Sequence, residues 1–125
     1  MAVEPGLSAH VELTVGEADT AFALRSGDVH VLATPRVIGL CEEAAMLALQ
    51  GQLPAGQTSV GHTVQLDHVA PSRVGTQVAA EATLQKVNGR RLTFTVSVTD
   101  AHGLLAAGIV TRVVVDVDRF LDSAH

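Results

Sequence analysis

Thr34-Pro35-Arg36-Val37-Ile38-Gly39-Leu40-Cys41-Glu42-Glu43-Ala44-Ala45-Met46-Leu47-Ala48-Leu49 is the one long helical signal in a sequence otherwise patterned as strands. Thr34 has the chemistry of an N-cap, because its hydroxyl can accept from an orphan N–H of the first turn. Pro35 follows where a missing N–H costs nothing. Val37, Leu40, Cys41, Ala44, Ala45 and Ala48 form one apolar stripe at helical spacing. Arg36, Glu43 and Gln50 make a narrow polar line opposite. Glu42 is on neither line: at about 100° per residue it lies near Ile38, Met46 and Leu49. A helix that is apolar nearly all round is a buried helix, so Glu42 reads as a carboxylate that must be paired, protonated or functional. The plainer reading is a flank residue that reaches water.

Outward from the helix, the composition narrows the class. A chain of 125 residues with 47% hydrophobic and 17% charged residues can bury one core, and is expected to be a single domain over 1–125 with loose ends at 1–7 and 122–125. Three Phe, no Trp and no Tyr leave the core to Val, Leu and Ala and offer little for base stacking. A net charge of −5 also argues against a nucleic-acid partner. Cys41 is the single cysteine and sits on the apolar stripe, where it reads as a small core residue rather than a nucleophile. Met1 to Leu7 has neither a basic region nor an apolar run, and no stretch is long enough to span a membrane. A cytoplasmic protein is expected.

Before the helix, Ala9, Val11, Leu13 and Val15 alternate with polar residues as in a half-buried strand, and Glu17–Leu24 suits a helical turn. After Gly51–Gly56 the pattern is β throughout. Val60, His62, Val64, Leu66 and His68 read as one strand face; Val78, Ala80, Ala82 and Leu84 as another; Leu92, Phe94, Val96 and Val98 as a third. Asn88-Gly89 marks a tight hairpin. Leu104–Val115 is apolar on both faces apart from Thr111 and Arg112, which places it inside a sheet. Asp116–His125 reads as a polar tail. The expected fold is therefore α+β: a curved antiparallel sheet wrapped around one long helix, the hot-dog arrangement.

Few residues could carry chemistry. His68 ends its strand on the face expected to look at the helix, where Glu42 could share a proton with it and activate a water. Thr34 adds a hydroxyl and a helix N-terminus, whose free N–H groups favour developing negative charge. A lone inward His is more often a structural residue, and His62, inward by the same alternation, reads as core or support. Arg112 interrupts an apolar strand and calls for a carboxylate or anionic partner, either structural or in contact with substrate. No metal-ligand spacing, phosphate loop or Gly-x-Ser-x-Gly elbow occurs.

Val31-Leu32-Ala33-Thr34-Pro35, Gly39-Leu40-Cys41-Glu42-Glu43-Ala44-Ala45, Ser59-Val60-Gly61-His62-Thr63-Val64 and His68-Val69-Ala70-Pro71, in that order, resemble the hot-dog thioesterases of the fluoroacetyl-CoA thioesterase type. The similarity runs over roughly residues 8–121, nearly the whole domain. It implies a catalytic Thr, Glu and His at Thr34, Glu42 and His68. It also implies a glycine at Gly61 whose N–H faces the substrate carbonyl, and a substrate-binding Arg112 on the last strand. The resemblance implies an acyl-CoA substrate, no metal or redox cofactor, and a homodimer or tetramer with acyl-CoA between subunits. The fluoroacetyl enzyme carries an aromatic gate shortly before the helix, whereas Gly27–Leu32 has no aromatic residue. Two other readings share the fold: a hydratase or dehydratase on an acyl thioester, for which the usual Asp-x-x-x-x-His pair is missing, and a non-catalytic acyl-binding module.

Overall fold

The computed structural model describes residues 3–125. Five strands alternate with one long helix and short helical pieces: β1 (Ser8–Thr14), α1 (Ala21–Leu24), α2 (Thr34–Ala48), β2 (Gln57–His68), β3 (Gln77–Asn88), β4 (Arg91–Asp100), β5 (Gly103–Asp116) and α3 (Val117–Ser123). All strand pairs are antiparallel, in the order β1-β3-β4-β5-β2. The sheet curves around α2, which touches every strand, so the architecture is the expected α+β hot-dog. β2 and β5 approach closely at Gly108: a Cβ there would run into the backbone of Gln65 and Leu66, so only glycine fits.

The alternation read from sequence is the alternation buried. Val78, Ala80, Ala82 and Leu84 of β3 and Leu92, Phe94, Val96 and Val98 of β4 face the six stripe residues of α2. Small side chains on both surfaces let helix and sheet pack closely, while Leu40, Leu84, Leu92 and Phe94 each contribute about 1.5–3 kcal/mol by burial. β5 lies between β4 and β2, as its two apolar faces required. β2 is an edge strand, and most of its residues are exposed.

Three expectations are corrected. Residues 3–7 are not loose: Val3 is buried, and Gly6 and Leu7 exchange backbone hydrogen bonds with Leu84, extending the β1–β3 pairing; residues 1–2 lie outside the described residues. The polar tail contains α3, and Val117 N–H donates to the Gly56 carbonyl, so the tail folds back onto the loop before β2. Finally, α2 is not buried all round. Thr34 and Met46 are exposed and Ile38 and Glu42 half-buried, leaving an open line at four-residue spacing along one flank.

Candidate active site

The open flank of α2 faces the inner side of β2, and a bulge decides what β2 presents there. Ser59 and Gly61 pair with Val114 and Arg112 of β5; the register then slips between Gly61 and Thr63. Beyond the slip Val64, Leu66 and His68 pair with Val110, Gly108 and Ala106. Because Arg112, Val114, Val110 and Ala106 are all buried, both sets look inward and His62 is the extra residue. The expected single face from Val60 to His68 is therefore broken. His62 is exposed, with Nδ1 3.4 Å from Thr111 Oγ1, and is neither core nor support for the site.

Gly61 lies directly against Glu42: a Cβ at this position would collide with the Glu42 carboxylate. Arg112 reaches the same carboxylate, NH1 to Oε2 at 3.5 Å. Arg112 is only 7% exposed, whereas the Glu42 side chain is 37% exposed, so the pair joins a buried cation to a carboxylate open to the flank. Burial pulls the Arg112 pKa below its ordinary value, and the Glu42 charge opposes that pull. The Arg112 guanidinium is held by Ser59, which accepts from Nε through Oγ at 2.8 Å and from NH2 through its carbonyl at 3.0 Å. Ser59 carries no signal in the sequence, where the alternation of Val60–His68 puts it on the outward face; the bulge is what turns it inward.

Thr34 and His68 meet at the other end of the flank. Thr34 is the first residue of α2, preceded by Ala33 in extended conformation, and it makes no capping bond. Its hydroxyl instead lies 2.8 Å from His68 Nδ1, which corrects the N-cap reading. His68 Nε2 is buried without a hydrogen-bond partner among the described residues. A cavity of about 360 Å³ opens here, with Thr34 and His68 on its wall beside Ala21, Val29, Leu32 and Pro71. Either ring tautomer suits the Thr34 contact: if Nδ1–H donates, Nε2 carries a lone pair, and if Thr34 donates, Nε2 carries a proton. The position can thus accept or deliver a proton at Nε2.

Glu42 makes no hydrogen bond to His68 or Thr34 among the described residues. Eight residues separate Thr34 from Glu42, about 12 Å along the helix axis. Within one chain the five residues expected from sequence therefore form two clusters, Thr34–His68 and Glu42–Gly61–Arg112.

The model of the fluoroacetyl-CoA-specific thioesterase family matches residues 15–118, a span that includes both clusters. The chain belongs to this family. A curated family relative, the fluoroacetyl-CoA thioesterase of Streptantibioticus cattleyicolor, is 33% identical over 90 residues, 72% of this chain and 65% of the relative. The crystal structure of the fluoroacetyl-CoA thioesterase FlK superposes with a TM-score of 0.90 at 27% identity, covering 96% of this chain and 93% of that one. A hot-dog-like protein from Thermanaerovibrio acidaminovorans gives 0.89 at 26% identity, covering 97% and 90%. In this family member the stretch before α2 lends the cavity Val29 and Val31 and no aromatic ring. Phe22 is stacked on His30 at 4.6 Å, is 57% exposed, and is not part of the cavity wall. No helix among the described residues is long and apolar enough to cross a membrane.

Proposed function

We propose that the protein hydrolyses acyl-CoA thioesters in the cytoplasm as a homodimer, with each active site assembled from two subunits. The observation that carries this reading is the Thr34 hydroxyl on His68 at the mouth of an aliphatic cavity, with the Glu42–Arg112 pair separate from it on the same helix flank. β2 is a long exposed edge strand, a ready template for a second copy. Two such strands paired about a two-fold axis between Val64 and Gln65 would bring His68 opposite the partner's Gly61. Thr34 and His68 of one subunit would then complete the Glu42–Gly61–Arg112 cluster of the other.

In such a site Glu42 delivers the attack on the acyl carbon, either directly, forming an anhydride that water then cleaves to the free acid, or by taking a proton from the water that attacks. The Gly61 N–H stabilises the oxyanion that forms. As the C–S bond breaks, the departing thiolate takes a proton from Nε2 of His68 in its imidazolium form, while Nδ1–H donates to Thr34; the neutral ring is recharged by the proton that the attacking water releases. The products are a free acid and the CoA thiol. The aliphatic wall of Ala21, Val29, Val31 and Leu32 suits a hydrocarbon acyl chain. Hydration or dehydration of the acyl group would use the same fold but release no thiol.

Thiol release from acyl-CoAs of graded chain length tests the activity, and subunit mixing tests the site. His68→Ala and Glu42→Gln homodimers should each retain about one per cent of turnover or less. Unfolded and refolded together, they should recover about a quarter of wild-type turnover, because half the dimers carry one intact composite site. No recovery from the mixture would mean that each site lies within one chain. Ligand-dependent stabilisation without thiol release would instead identify a binding module.

A further inference from the structure

The clamp on Arg112 carries an inference beyond the residues already given a role. A guanidinium is a planar fork, so fixing two of its edges fixes the direction of the third. Ser59 fixes two: its side chain takes Nε at 2.8 Å and its carbonyl takes NH2 at 3.0 Å. The remaining nitrogen, NH1, is the one that faces Glu42. Ser59 is 8% exposed and Arg112 7%, so bulk water is a poor substitute for the lost hydroxyl. Ser59 and Gly61 stand two residues apart on the same inward face. One short piece of β2 therefore holds the cation and leaves room for the carboxylate.

We propose that Ser59 is a positioning residue of this site: by clamping Arg112 it aims NH1 at Glu42 and holds that carboxylate in place beside Gly61. The proposal rests on Glu42 being the reactive carboxylate. Arg112 is the charged side chain that faces Glu42 from the sheet; β2 offers Ser59 and Gly61 there, and α2 places Cys41 and Glu43 next to it in sequence.

The test uses Ser59→Ala and Ser59→Thr in the full-length protein. Ser59→Ala should lower kcat about tenfold with little change in KM. Ser59→Thr should recover most of the loss. It keeps the hydroxyl, and its extra methyl has room in the cavity of about 340 Å³ that Ser59 shares with Met46, Leu49 and Thr58. A crystal structure of each variant gives a readout that needs no turnover. In Ser59→Ala the Arg112 guanidinium should turn and the Glu42 carboxylate should leave its place beside Gly61, and both should return in Ser59→Thr. An unmoved Arg112–Glu42 pair in Ser59→Ala, or a Ser59→Thr variant no better than Ser59→Ala, overturns the proposal. If the wild type releases no thiol from any acyl-CoA, the hydrolytic reading fails, and the variant structures alone still decide whether Ser59 aims Arg112 at Glu42.

Discussion

The two halves of β2 share a sheet edge and differ in what they hold. Before the bulge, Ser59 and Gly61 face a charged pair and supply polar groups and empty space. After it, Val64 and Leu66 face the apolar flank, and His68 ends the strand at a cavity with one ring nitrogen unpartnered. A strand with strict alternation would have sent one of these halves to the outer face, since slipping by one residue reverses every side chain. The extra residue at His62 lets a single strand present the surroundings of an ion pair at one end and an imidazole at the other. Chemistry needing both ends at one carbonyl then favours bringing in a second copy.

The sharpest way to break this contrast is at the charged end. Glu42→Gln keeps size and polarity and loses the charge, so turnover should fall about a thousandfold. The fold should be retained, with thermal unfolding shifted modestly downward, because the buried Arg112 cation loses its ion-pair partner. Glu43→Gln, on the exposed line of α2, is the control and should retain wild-type thiol release. Wild-type turnover in Glu42→Gln would end the role given to the charged half.

At the other end, His68→Ala should lower kcat by about two orders of magnitude, whereas His62→Ala should cost less than about threefold. Equal losses at equal folded fraction would mean that the bulge does not separate the two histidines functionally. Between them, Gly61→Ala should lower kcat about a hundredfold, since its Cβ must displace the Glu42 carboxylate. Crystallography of that variant should find Glu42 moved; an unmoved carboxylate with full activity would contradict the close approach.

Thr34→Ala separates two roles for one hydroxyl. A lost N-cap would cost about 1 kcal/mol of stability. Because the hydroxyl serves His68 instead, denaturant unfolding should change by less than about 0.5 kcal/mol, while kcat falls about tenfold. The smallest effect concerns the anchor of α2. Burial alone would raise the Asp19 pKa, but the Gly16 N–H and the Arg36 guanidinium outweigh it and the net shift is downward. A depressed carboxylate stabilises the fold above its unfolded pKa and stops doing so as pH falls through the lower folded value. Acid unfolding of Asp19→Asn should therefore lack a stability loss that the wild type shows below about pH 4.

Much of this architecture was legible from residue pattern. The α2 stripe, the alternation of β3 and β4 and the interior position of β5 follow from apolar periodicity, which burial rewards directly. The bulge was not legible, because one extra residue changes neither composition nor polarity, and His62 fitted the alternation it interrupts. Ser59 was missed for a related reason: a serine in a strand is ordinary until the guanidinium beside it is known. Thr34 showed the reverse problem. Its local chemistry suited a cap, and a partner 34 residues away in sequence claimed the hydroxyl. Glu42 was found by its misfit with both helix lines, although the flank around it proved open to solvent.

Cys41 adjoins Glu42 on α2 yet faces the core, and burial, with the Glu42 charge adding to it, pushes its thiol pKa up to about 11. The thiolate that reacts with disulfide reagents and alkylators is therefore scarce and shielded in the native state. An assay that detects released CoA with such a reagent will read product with little background from the protein itself. The same shielding makes Cys41 a native clock for the parting of α2 from the sheet. Its slow labelling, followed by mass spectrometry, would time how often the molecule opens, with no introduced probe.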